Sequence, residues 1–215
     1  LVGKFNVYNS LASIAVAYAK NISLEICKKA LEKTTGIAGR IEIVTPKGHP
    51  YTVVVDYAHT PDALERALKS LRSHTKQQVW VMFGCGGDRD NSKRPIMGKI
   101  AEQFADQVII TDDNPRTEDP SSIREQIIGD FSFKEIADRK QAIMYCIAHL
   151  EKGDSLLIAG KGHETGQIIG NTTHPFSDQQ QAKAALAGVY AYQLTITFKS
   201  TEVEQVKGNL NLIRN

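Results

Sequence analysis

The sequence predicts an α/β domain with a mostly parallel, twisted sheet and helices on both faces, preceded by a short helical segment. Three observations predict it. Residues 10–33 carry helical spacing and no β-branched run, whereas from Arg40 onward short apolar runs alternate with helical stretches. Each central run also ends in a cluster of glycines or charged residues: GCGGDRD, DDNPRTED and GKGHE.

The elements follow in order. SLASIAVAYAK, residues 10–20, is alanine-rich with helical spacing, and Leu24 to Lys33 forms a second helix. Gly36 to Gly39 ends that pair, and a boundary falls between 38 and 39. IEIVT and YTVVVDY flank PKGHP as a hairpin. Thr60 caps a helix whose first turn holds Pro61 and Asp62. VWVMFG is a strand, GCGGDRDNSKR its exit, and a helix runs from about Pro95 to Phe104. QVIIT is the next strand; Asp119 and Pro120 start another helix, and Asp138 caps RKQAIMYCIAHLE. SLLIAG is a strand ending in GKGHE, QIIG a short strand, and Ser177 caps DQQQAKAAL. In a parallel sheet the loops after Phe83, Thr111 and Ala159 share one edge, where such folds bind ligands. Residues 189–215 are aromatic and β-branched without nameable chemistry, and ordered and disordered readings stay open.

Composition narrows the function classes. With 41% hydrophobic and 23% charged residues, a net charge of +2 and no basic stripe interleaved with aromatics, the chain is globular and not built for nucleic acid. No apolar run reaches the roughly 20 residues of a membrane span, and LVGKFNVYN is not a signal peptide, so no membrane insertion is expected. Three cysteines without a CxxC pair suit a reducing cytoplasm. Cys85, inside a glycine loop, is the one to watch.

GCGGDRD lets backbone N–H groups approach an anion beside Arg89, or is simply a tight strand exit. In DDNPRTED, Pro115 stiffens the turn that projects Asp113, Asn114 and Arg116. Arg116 can hold a carboxylate through paired hydrogen bonds while Asp113 receives an ammonium, a clamp for a zwitterion; the alternative is an Asx turn with a surface ion pair. GKGHE lacks the complete phosphate-loop pattern. Its Lys161 could meet an anion, Glu164 an ammonium, and His163 could orient a neighbour or sit satisfied beneath the loop. Asp56, His59 and Asp62 occupy a strand-to-helix turn; without a matching histidine or cysteine cluster, a sugar or nucleotide is the better partner than a metal. Asn6 and Asn9 share a face if helical, as readers of an adenine edge or as caps.

In this order the pieces GKFNVYN, GIAGRIE, VVVDYAHTPDALERAL, FGCGGDRD, KRPIMGKIAEQFAD, TDDNPRTEDP, DRKQAI and AGKGHETGQ, spanning residues 3–167, resemble the ADP-forming Mur ligases of peptidoglycan synthesis, in particular the branch that adds meso-diaminopimelate. The resemblance implies that residues 1–38 are the helical end of a central P-loop ATPase domain, that 39–188 form a Rossmann-like C-terminal domain and that 189–215 are an unfamiliar tail. It further implies ATP-dependent amide formation on UDP-N-acetylmuramoyl-L-alanyl-D-glutamate in the cytoplasm. The GTNGKT-type loop, the uridine-nucleotide domain and the Mg2+ ligands would lie in missing N-terminal and central domains; no metal ligand is expected here, and the chain alone should be inactive. Arg89, Asp113, Asn114, Arg116, Gly160 and Glu164 match positions that grip diaminopimelate. Asn6 and Asn9 match the adenine side, Asp56 the ribose-binding acid and Arg40 the arginine that approaches the γ-phosphate, with His59 nearby. Gly166 stands where a bulkier residue is expected, which would loosen the wall near Glu164.

The same residues admit three rivals: a non-catalytic amino-acid-binding module derived from such a ligase, a ligase for another amino acid such as L-lysine or for a polypeptide acceptor, and a nicotinamide oxidoreductase, which would need nucleotide binding at GCGGDRD.

Overall fold

The structure is a computed structural model that describes residues 4–34 and 36–188. Two helices lead, α1 (Lys4–Ala19) and α2 (Leu24–Lys33), packed on each other. The first begins six residues earlier than the spacing predicts, so FNVYN is helical after all. Of the thirteen large hydrophobic side chains exposed among the described residues, nine lie between Val7 and Ile37. This helical pair therefore carries an uncovered apolar surface.

The rest is one six-stranded sheet of order β1-β2-β6-β3-β4-β5, comprising β1 (Glu42–Ile43), β2 (Thr52–Asp56), β3 (Val79–Phe83), β4 (Gln107–Ile110), β5 (Lys134–Glu135) and β6 (Ser155–Ala159). Only β1 runs antiparallel, paired to β2 across the predicted hairpin. All other neighbours pair in parallel. Between them run α3 (Pro61–Arg72), α4 (Lys93–Phe104), α5 (Pro120–Ile128) and α6 (Arg139–His149). A last helix, α7, covers 178–188.

The strands alternate faces, and the helices divide accordingly. Val54, Val81, Phe83, Ile110 and Leu157 pack with Leu64 and Leu68 of α3, Met97 of α4 and Ile127 of α5. Val53, Val55, Met82, Ile109 and Ile158 pack with Ile143 and Ile147 of α6 and Leu186 of α7. Burial on both faces explains why these strands read as continuous apolar runs.

Several local signals work as read. Thr60 accepts from Ala63 N at 3.4 Å, Asp119 from Ser122 N at 3.0 Å and Asp138 from Gln141 N at 2.7 Å. Since the Asp138 cap satisfies an N–H of α6 with a charged acceptor, Asp138→Ala is expected to cost about 1 kcal/mol, read as a lower urea midpoint with unchanged slope. Helix α4 begins at Lys93, two residues before the expected start; Ser92 gives it no side-chain cap, and Pro95 sits inside the first turn, where its missing N–H costs nothing. The expected QIIG strand is one arm of a separate hairpin, β7 (Gly166–Ile169) with β8 (Thr172–Pro175). The tail lies outside the described residues.

Candidate functional site

Because β2, β6, β3 and β4 run parallel, the loops that leave Asp56, Ala159, Phe83 and Ile110 open on the same edge of the sheet. The chain steps from β3 out to β4 and returns to β6 on the other side of β3. That reversal is where α/β sheets leave a crevice.

The loops after β3 and β4 are bonded into one body. Gly87 N donates to Asn114 O at 2.9 Å, and Arg116 Nη1 donates to Gly87 O at 2.8 Å. Asp88 accepts from Thr117 N and Oγ1, which holds its carboxyl below the usual range. Arg94, wholly buried on α4, reaches Gly86 O at 3.2 Å and Glu118 at 2.9–3.0 Å, tying both loops to the helix. Sequence reading missed it, because an arginine near a helix start looks solvated.

Of the two adjacent aspartates, Asp112 is structural. It pairs with Arg124 of α5, which also holds Glu135 at 2.6 Å. Asp113 faces the crevice, 8% exposed. Among the described residues nothing donates a hydrogen bond to its carboxylate; the nearest cation, Lys161 Nζ, stands 3.7 Å from Oδ1. The Asp113 carboxyl is held above its usual range: burial outweighs the pull of Arg139 and Lys161, and Glu164 and Asp178 add to the rise. A buried carboxylate with open acceptors is an ammonium site in search of its ammonium.

Asn114, expected to contact substrate, is engaged by protein partners. Its Oδ1 accepts from Lys161 Nζ at 2.8 Å and Ile168 N at 2.9 Å, and its Nδ2 donates to Glu164 Oε2 at 3.0 Å. The amide is thus largely used within the protein, fixing Glu164 and the β7 hairpin. Lys161 is likewise not the anion-facing residue its sequence context predicts. It is 0% exposed and directed at Asn114, Glu164 and Asp113.

Arg116 adopts φ +53°, held by Arg116 N to Ile168 O at 3.1 Å and Gly170 N to Arg116 O at 2.7 Å. Only its Nη1 is engaged among the described residues, leaving Nε and Nη2 for a ligand. Arg89 is exposed, bonded through Nη1 to Asp88 O at 3.0 Å. An ideal Cβ on Gly86 would lie 2.9 Å from Arg116 Nη1 and 3.9 Å from Arg89 Cγ, so the two arginines flank one small gap. Gly160 has φ +115°, and a Cβ there would fall 2.6 Å from Asp113 Oδ2. Gly166 does not loosen the wall as expected: Thr173 Cγ2 of β8 stands 2.7 Å from where its Cβ would be.

Asp113, Asn114, Arg116, Gly160 and Glu164 are therefore brought together, with Arg89 beside them. A second group surrounds Tyr57 after β2. Arg40 lies over its ring at 4.8 Å, and the rings of His59 and His163 stand 4.4 and 5.3 Å away. His163 is exposed here, not tucked beneath its loop. Asp56 Oδ2 accepts from Ile41 N at 2.7 Å; burial raises its carboxyl against hydrogen bonds from Ile41 and Ala58 and the Arg40 charge. Asn6 and Asn9 sit one turn apart on α1, whose main packing partner is α2. Cys85 is a core residue, 3.8 Å from Met97 Sδ, and burial pushes its thiol up to about 12. No described helix is long and apolar enough to cross a membrane.

Behind the first group lies a pair that the sequence did not reveal. Arg139, at the start of α6, forms two 2.8 Å bonds with Asp178 of α7, and both side chains are 0% exposed. The same guanidinium holds Ala159 O at 2.9 Å and Asp112 O at 3.4 Å, the carbonyls immediately before Gly160 and Asp113.

The chain is similar to known proteins in sequence and in fold. Residues 39–162 match the family described as Mur ligase, glutamate ligase domain. The chain is 47% identical over 188 residues to the UDP-N-acetylmuramoyl-L-alanyl-D-glutamate–2,6-diaminopimelate ligase of Agrobacterium fabrum, covering 87% of this chain and 38% of the relative. For the ligase of the same name from Geobacillus kaustophilus the identity is 49% over 191 residues, 86% of this chain and 39% of the relative. A solved structure of such a ligase superposes with TM-score 0.69 at 39% identity, over 88% of this chain and 40% of that one. The folylpolyglutamate synthase of Thermotoga maritima shares the fold, with TM-score 0.57 at 21% identity over 74% of this chain and 36% of that one. The chain thus spans about two fifths of the curated relatives it matches.

Proposed function

This chain belongs to the Mur ligase family, and we propose that it is the amino-acid-binding portion of an ADP-forming ligase that adds meso-diaminopimelate to UDP-N-acetylmuramoyl-L-alanyl-D-glutamate in the cytoplasm. The observation that carries this reading is the Asp113 carboxylate, buried without a hydrogen-bond donor beside the part-open guanidinium of Arg116. Diaminopimelate has two amino-acid centres. Arg116 and Arg89 would take a carboxylate, and Asp113 with Glu164 an ammonium. An amine held as ammonium has no lone pair to attack with, so the centre gripped here is the one remote from the new bond. The other amine stays free to attack the acyl phosphate made when ATP phosphorylates the glutamate carboxylate. L-Lysine lacks the second carboxylate and would leave the arginines unpaired, which is how a buried polar site rejects an analogue.

The cluster of Arg40, Tyr57, His59 and His163, with Asp56 behind it, offers a flat ring bordered by a cation and suits a nucleotide that carries phosphate charge. By this reading Arg40 meets ATP near its γ-phosphate, Asp56 the ribose, and Asn6 and Asn9 the adenine. Among the described residues no group of three or more metal-ligating side chains could hold an ion. By this reading Mg2+ would be held by residues in other parts of the ligase. The uncovered apolar surface of α1 and α2 supports placing residues 1–38 against the remainder of an ATP-binding domain, with 39–188 as the amino-acid-binding domain.

Calorimetric titration of the 215-residue chain with meso-diaminopimelate and with L-lysine tests this reading. Selective heat with the former is expected. Arg116→Ala should weaken it by about tenfold to a hundredfold, the range for a hydrogen bond to a charged group. Absence of binding to folded wild type at millimolar ligand would overturn the reading of an autonomous site.

A further inference from the structure

We propose that Lys161 is a positioning residue for amino-acid recognition, a buried counter-ion that aims Glu164 and favours the charged form of Asp113 before a ligand arrives. The inference rests on the amino-acid-binding reading above. It begins from a count of donors. The Lys161 ammonium has three N–H groups and is cut off from water; one meets Asn114 Oδ1 at 2.8 Å and another Glu164 Oε2 at 3.2 Å. Asp113 Oδ1 is 3.7 Å away, close enough for charge attraction but too far for a hydrogen bond. Lys161 therefore stabilises the charge on Asp113 without occupying its oxygens. At Glu164 it does the reverse: Lys161 and Asn114 Nδ2 converge on Oε2, which fixes the carboxylate and leaves Oε1 without a donor among the described residues. Asp113 Oδ1, Asp113 Oδ2 and Glu164 Oε1 then remain as acceptors, matching in number the three donors of a ligand ammonium.

Four charged groups face Asp113: Arg139 from α6, Lys161 and Glu164 from the loop after β6, and Asp178 from α7. Arg139 has the larger pull on Asp113, but it is bonded twice to Asp178, whose charge opposes it. Lys161 is the cation placed between the two carboxylates that would meet the ligand. Without its charge, burial favours the protonated form of Asp113, and a protonated carboxyl offers an ammonium much less.

The test uses the 215-residue chain in three forms: wild type, Lys161→Gln and Lys161→Arg. Glutamine keeps a donor for Asn114 and removes the charge; arginine keeps the charge and serves as the rescue, so a misfolded glutamine variant still leaves one informative comparison. Carboxyl-carbon NMR follows the titration of Asp113 without ligand, and calorimetry follows meso-diaminopimelate affinity against pH. In Lys161→Gln the Asp113 midpoint is expected to move up. Affinity at neutral pH should fall about tenfold or more, recovering as pH rises, below the range where the ligand's own ammonium titrates. Lys161→Arg should keep the Asp113 midpoint and much of the affinity. A purely bracing lysine would give an affinity loss equal at every pH, or an unmoved Asp113 titration in a wild type that binds; either result overturns the Lys161 role alone. A titration that moves in Lys161→Gln while the wild type binds no amino acid overturns the functional reading and this role with it.

Discussion

Arg139→Met is expected to lower stability by about 3–5 kcal/mol, the range for stripping one partner from a buried ion pair. Both side chains are fully buried, so the variant leaves the Asp178 carboxylate charged and dry, and the carbonyls of Ala159 and Asp112 lose a donor. For a domain of this size each kcal/mol moves Tm by roughly 2–4 °C, so a fall of about 6–20 °C should be seen by differential scanning calorimetry. The pair itself need not be a net stabiliser, because bringing both charges out of water is costly. The double variant Arg139→Met/Asp178→Leu is therefore expected to regain most of the loss, a non-additivity that only a direct partnership produces. A single variant that melts with the wild type would show that Asp178 is satisfied in some other way. Addition of the two single losses in the double variant would deny the partnership.

That prediction also marks where the sequence stopped being legible. Unbroken burial along Val53 to Val55 and Val79 to Phe83, together with the caps at Thr60, Asp119 and Asp138, involves residues a few positions apart, so short apolar runs and local chemistry reveal it. The site turn at Asp113 to Arg116 was legible for the same reason, since Pro115 and its neighbours define it locally. Arg139 and Asp178 are 39 residues apart, and Arg94 meets Glu118 across 24. Each sits in a first helical turn or beside one, where a charged residue ordinarily faces water, so nothing local distinguishes them. Lys161 misled for a related reason. A lysine between glycines reads as an anion contact, and only the approach of the β4 loop turns it inward to Asn114. β5, two residues long, and β8, an exposed arm, carry no apolar alternation to announce them.

Gly160→Ala is expected to abolish detectable binding of meso-diaminopimelate, a loss of at least about a hundredfold if two charge-assisted hydrogen bonds go together. Two effects act at this position and can be separated. The first is backbone strain: φ is +115°, a region that residues with a Cβ avoid at a cost of about 1–3 kcal/mol. The second is collision, because the new methyl would lie 2.6 Å from Asp113 Oδ2, displacing the carboxylate whose oxygens are open to the ligand. Gly36 supplies the control. Its φ of +103° is close to that of Gly160, yet a Cβ there would meet no heavy atom of the described residues within 4 Å. Gly36→Ala should thus share the strain and keep the affinity, while Gly160→Ala carries the strain and loses the affinity. Urea denaturation of the two variants compares the strain, and calorimetry with meso-diaminopimelate reads the collision. Equal affinities in Gly160→Ala and wild type would mean that a displaced Asp113 still serves, so the ammonium would have to be held elsewhere. Equal losses in the two variants would assign the effect to general destabilisation. A loss confined to Gly160→Ala ties affinity to the position of one carboxylate, and it explains why the residue opposite Asp113 must have no side chain.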